Sequence, residues 1–114
     1  MVYNRRIESK KGDFFNMQKK DITHHALLFE VLASLNDPEA IRILLEDLCT
    51  TREIDQMCQR IEAARMLLDG QTYQAIIKET EISSATLSRV SRCVQNGSGG
   101  YTDLLASVLN KENQ

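Results

Sequence analysis

The sequence has no apolar run approaching the roughly 18 residues of a membrane helix. Its N-terminus lacks the apolar segment of a secretory signal, so a cytoplasmic protein without a membrane partner is expected. Cysteine is scarce: Cys49, Cys58 and Cys93 are odd in number and without paired spacing, which excludes a disulfide framework and gives no zinc pattern. Free thiols are the expected state. There is no Ser-His-Asp set, no glycine-rich phosphate loop and no acid-base pair of carboxylates; Glu46 and Asp47 fall at solvent-facing helix positions. His24 and His25 are neighbours and point in different directions on a helix, so they do not form the i, i+4 pair that holds a metal. Catalysis has no candidate residues, and no enzyme is expected. A strong basic surplus is missing as well, since the net charge is -2. Residues 1 to 20 carry +4 through Arg5, Arg6, Lys10, Lys11, Lys19 and Lys20, set against Glu8 and Asp13, which leaves -6 on the remainder.

What is present is amphipathic helix. With 42% apolar and 26% charged residues in 114, the chain has the balance of one globular domain. Residues 1–20 are polar without a sustained period and are expected to form a flexible arm, with Met17 as a second candidate start. The domain is expected over 21–110 and a short tail over 111–114. Leu28, Val31, Leu32 and Leu35 line one helix face at i, i+3, i+4, i+7 spacing, and Ile41, Leu44, Leu45 and Leu48 repeat it. Asn36-Asp37-Pro38 separates the two, because Asp37 can cap free amides and Pro38 suits the first helical position. A capping box, Thr50-Thr51-Arg52-Glu53, opens a third and longest helix with the stripe Ile54, Met57, Cys58, Ile61, Ala64 and Leu68, ending at Asp69-Gly70. After a Gln95 to Gly100 linker comes a last amphipathic helix with Tyr101, Leu104, Leu105, Val108 and Leu109. No segment shows strand alternation, so the fold is expected to be all-α with about six helices. Broad apolar stripes on short helices must face something, either one another in a monomeric bundle or a second copy.

Between Thr72 and Val94 the pattern is two short helices and a tight turn. Thr72 caps the first, Glu81-Ile82 makes the turn and Ser83 caps the second, while Ile76, Ile77, Ile82, Leu87 and Val90 form the contact. The other positions of the second helix are small and polar. Small side chains let the backbone approach base edges while Thr, Ser and Arg hydrogen-bond them. Ser83, Ser84, Ala85, Thr86, Ser88 and Arg89 are therefore expected at base edges, and Gln74, Lys78 and Arg92 at phosphates. The partner this pattern indicates is double-stranded DNA. For Arg89 an intramolecular pair with Glu62 or Glu79 is the competing expectation, and solvated helix surface is the competing reading for the rest.

The run from Ile82 to Val90 resembles the second half of bacterial helix-turn-helix repressors, in which a hydrophobic residue and Ser lead into Ala-Thr-hydrophobic-Ser-Arg. Two positions depart from that pattern: Glu81 stands where glycine is common, and Ile77 where a small residue is usual. A non-glycine residue held left-handed costs about 1 kcal/mol, which a packed helix pair can absorb. From residue 21 to 110 the order of elements resembles the tryptophan-repressor family, in particular its YerC/YecD-type branch. The resemblance rests on Leu48 to Gly70 as central helix, Gly70-Gln71-Thr72-Tyr73-Gln74, Ala85-Thr86-Leu87-Ser88-Arg89, and the closing Leu104 to Leu109. It implies an intertwined homodimer acting as a sequence-specific transcriptional regulator, a repressor reading a palindromic operator with half-sites roughly 34 Å apart.

The resemblance also implies a ligand pocket. Thr50, Arg60 and Arg89 match residues that surround tryptophan in the repressor. Val90, however, stands where the repressor has a glycine that leaves room for the ligand, and Cys93 where a serine meets its amino group. Tryptophan is therefore not expected as corepressor and no cofactor is assigned. Two readings remain beside the first: a regulator with an unidentified small-molecule effector, and a helical module that binds a partner protein through the same apolar stripes.

Overall fold

A computed structural model of the protein describes residues 24–112. The expected N-terminal arm with its six basic groups, the alternative start at Met17, the first residues of the expected domain and the last two of the tail lie outside the described residues. Among the described residues all regular structure is helical: α1 (24–34), α2 (Pro38–Leu48), α3 (Thr51–Leu68), α4 (Tyr73–Thr80), α5 (Ser84–Asn96), a π-helical turn (Gly100–Leu105) and α6 (Ala106–Glu112). No helix among them is long and apolar enough to cross a membrane. They fall into two compact units, one ending at Leu48 and the other beginning at Cys49.

In the first unit α1 stops ahead of Pro38, and the Glu39 N–H donates to Asp37 Oδ1 at 3.3 Å, as the Asn-Asp-Pro signal predicts. Arg42 pairs with Glu39 and Glu46 at i, i+3 and i, i+4 spacing on the polar face of α2. The apolar faces are poorly covered. No residue of α2 is buried, and Leu27, Leu28, Phe29, Ile43 and Leu48 are all exposed.

The second unit owns the core. Its long helix starts at a complete capping box: Glu53 N–H donates to Thr50 Oγ1 at 3.1 Å and Thr50 N–H to Glu53 Oε1 at 2.8 Å. The helix ends as a Schellman motif, with Gln71 N–H on Met66 O, Gly70 N–H on Leu67 O and Gly70 left-handed at φ 82°. Ala63, Ala64 and Met66 of α3 meet Ile76 of α4, Ile82 of the turn, and Leu87 and Val90 of α5. The two alanines are fully buried, and side chains this small let α5 pack close to α3.

This corrects the expected stripe on α3. Of its members Ala64 is buried and Ile54 half-buried, while Met57, Cys58, Ile61 and Leu68 are exposed. Helical periodicity locates an apolar face but does not say which part of it the same chain will cover.

The chain after α5 also differs from expectation. Helix α5 runs on to Asn96, shortening the linker expected from Gln95, and ends at Gly97, where a Cβ would lie 2.3 Å from the Cys93 carbonyl oxygen. The last amphipathic segment then opens with a π-helical turn, in which Asp103 N–H and Leu104 N–H share the Gly99 carbonyl. Over a single turn the apolar spacing of Tyr101 and Leu105, both packed on the core, does not distinguish this from an α-helix.

Candidate nucleic-acid interface

The helix pair is held by short-range polar contacts. Thr72 Oγ1 accepts from Ala75 N–H at 3.2 Å and opens α4. At the other end Thr80 Oγ1 donates to Ile76 O at 2.7 Å and accepts from Ile82 N–H at 3.2 Å, so one hydroxyl bridges helix end and turn. Glu81 takes the left-handed conformation, φ 61° and ψ 18°, and its N–H donates to Ile77 O at 2.9 Å. A glutamate thus makes the turn at the position where glycine costs least. Ser83 Oγ accepts from Thr86 N–H at 3.1 Å and donates to Thr86 Oγ1 at 2.9 Å, capping α5.

Sequence reasoning missed one residue of this turn. Gln59 on α3 donates from Nε2 to the Thr80 carbonyl at 3.1 Å, across 21 residues of chain. It satisfies a carbonyl at the end of α4 and ties the turn to the long helix. No local pattern could have signalled a bond that depends on how α3 packs against α4.

Below the turn, Ile76, Ile82, Leu87 and Val90 are buried as expected. Ile77 is not, being 36% exposed, which is how its bulk is accommodated. Above it, Ser83, Ser84, Ala85, Ser88, Arg89 and Arg92 of α5 and Gln74 and Lys78 of α4 are exposed; Thr86 is half-buried under Ser83. Arg89 and Arg92 line one open groove with Cys93, Asn96 and Gly97, about 300 Å³ in volume. Among the described residues no ion pair holds Arg89, and the Glu62 carboxylate is engaged by Arg65 instead. That hydrogen bond holds Glu62 below the ordinary carboxylate range.

The three residues matched to a ligand pocket occupy different places. Thr50 is spent on its capping box, and Arg89 lines the groove just described. Arg60 lines a second, polar cleft of about 390 Å³ between α3 and the start of α5. In this cleft α3 supplies Arg52, Asp55, Gln56, Gln59 and Arg60; Glu81, Ser83 and Thr86 form the opposite wall. Thr50 lines neither. Among the described residues no group of three His, Cys, Asp or Glu side chains gathers into a metal-binding cluster, and His24 and His25 lie exposed on α1.

The profile of the family described as Trp repressor protein matches residues 23–109, which includes every helix from α1 into α6. The chain belongs to the Trp repressor family. It is 44% identical over 87 residues to the uncharacterized protein YerC of Bacillus subtilis (strain 168), covering 76% of this chain and 84% of that one. Among solved structures it is similar to a Trp repressor candidate from Staphylococcus aureus, with TM-score 0.73, 35% identity, and coverage of 81% of this chain and 94% of the other. It is also similar to a TrpR-like protein from Eubacterium eligens ATCC 27750, with TM-score 0.72, 36% identity, and coverage of 75% and 89%. For a Trp repressor family chain the local feature that matters most is Val90, which is 2% exposed and part of the core. A side chain sits where the resemblance to the tryptophan repressor places space for the indole.

Proposed function

We propose that the protein is a homodimeric, sequence-specific transcriptional regulator, a repressor, that docks α5 in the major groove of a two-fold symmetric operator. The observation that carries this reading is the division of α5 into two faces. Leu87 and Val90 anchor one face in the core, and Ser83, Ser84, Ala85, Ser88 and Arg89 stand exposed on the other with no ion pair holding Arg89 among the described residues. A short helix so anchored, with small polar side chains at its free N-terminal end, has the shape and hydrogen-bonding capacity to read base edges. In this reading Arg92 beside Arg89, and Gln74 and Lys78 on α4, meet phosphates, which their exposure supports.

The homodimer is supported by apolar surface that one chain leaves in water. Leu27, Leu28 and Phe29 on α1, Ile43 and Leu48 on α2, and Leu104 and Val108 near the C-terminus are all exposed. Apolar surface of this kind, carried by each unit, marks association. A second copy covers it in a family whose likeness to repressors implies two reading heads.

The test is selection of bound sequences from a random duplex library by the purified protein, at fixed salt and without added ligand. The expected outcome is an enriched palindrome with half-sites about one helical turn apart. Enrichment only in the presence of cell extract would make the protein an effector-dependent regulator. No enrichment under any condition would overturn the reading in favour of a partner-binding helical module.

A further inference from the structure

We infer that one stripe of the long helix α3, Arg52, Gln56 and Arg60, is a second DNA contact that grips the phosphates of the strand flanking the groove in which α5 reads. The inference rests on the DNA-reading role proposed above and extends it to a helix outside the helix-turn-helix. Residues 52, 56 and 60 follow one another at i, i+4, i+8 and so share a single face of α3. All three are exposed and line the polar cleft whose opposite wall is Ser83 and Thr86, the first turn of α5. Among the described residues neither arginine makes an ion pair or hydrogen bond, in contrast to Arg42 and Arg65, which are both engaged by carboxylates of their own helices. Two unengaged guanidiniums pay no cost of breaking an internal pair when they meet a phosphate.

Spacing fits that ligand, and the two guanidiniums supply its counter-charge. Eight residues of helix put Arg52 and Arg60 about 12 Å apart along the axis, wide enough for two separate phosphates of one strand. Gln56, between them, offers an uncharged donor. The cleft also holds Asp55 and Glu81, which oppose an anion, so the site has a sign that can be tested in both directions.

The experiment measures affinity of the full chain for its selected duplex and for a scrambled duplex over a range of salt concentrations. Arg52→Ala and Arg60→Ala are each expected to reduce the slope of log K against log salt by about 1 and to weaken binding to both duplexes by the same factor. Asp55→Asn should tighten binding to both. Circular dichroism confirms that the variants keep the fold. Unchanged slopes in the arginine variants, with selective binding intact in the unsubstituted chain, would overturn this inference and leave the proposed function standing. Loss confined to the selected duplex would also overturn it, since the stripe would then be reading bases. If the slopes were unchanged while inorganic phosphate at constant ionic strength altered the affinity of the unsubstituted chain but not of a chain carrying both Arg52→Ala and Arg60→Ala, the cleft would be a site for a free anion and the inference would fall. Failure of the unsubstituted chain to bind any duplex would overturn both readings together.

Discussion

At the scale of single residues, Arg89 and Glu81 separate function from stability. Arg89 is exposed and unpaired among the described residues, so Arg89→Ala should leave the circular dichroism spectrum unchanged and weaken specific duplex binding by about 1 to 3 kcal/mol. Equal affinity in a binding titration would remove it from the reading set. Glu81 makes the opposite kind of prediction. Its left-handed backbone is a conformation that glycine adopts freely, so Glu81→Gly should raise the unfolding free energy, read as a higher denaturation midpoint, by no more than about 1 kcal/mol once the extra freedom of glycine in the unfolded chain is deducted. Much of this was legible in the sequence, because capping and turn residues act over three or four positions. Thr72, Ser83 and the displaced turn glycine were all readable. Gln59 was not, since its bond to the Thr80 carbonyl exists only after α3 and α4 have packed.

At the scale of elements, helix ends were more legible than helix faces. The capping box of α3 is complete, and Thr50→Ala should cost about 1 kcal/mol in denaturant unfolding. The Glu53 carboxylate is held below its usual range by the Thr50 backbone N–H and hydroxyl. A carboxylate with its pKa depressed in the folded state stabilises the fold above its unfolded value, about 4.3, and that contribution is lost as pH falls through the lower folded value. Glu53→Gln should therefore flatten the acid side of a stability-versus-pH curve and leave its shape at neutral pH unaltered. A variant curve parallel to that of the parent chain on the acid side would refute the assignment. Faces were harder. On α3 the periodic stripe was real, yet Ala63, Ala64 and Met66 took the core while Met57, Ile61 and Leu68 stayed outside it. The π-helical turn at Gly100–Leu105 left no trace, because apolar positions four apart fit one turn of either helix.

At the scale of the molecule, the proposed homodimer gives the uncovered apolar residues of α1, of α2 and of the C-terminal segment a second copy to meet. Sedimentation should show a dimer, and its melting temperature should rise with protein concentration, as mass action requires for a fold completed by association. Leu104, 71% exposed in the single chain, provides the probe: Leu104→Glu should shift the sedimentation profile toward monomer. A concentration-independent melt with an unshifted profile would return these faces to the role of a binding surface for another protein. A two-fold reader would also present the same hydroxyl chemistry to both halves of its operator. The serine and threonine hydroxyls of α5 can turn to give or to take a proton and so match either kind of base-edge group, whereas the Arg89 guanidinium can only give. Each half of the operator should accordingly show its sharpest preference, for guanine, at one fixed position related by the symmetry axis, and Arg89→Ala should erase it there.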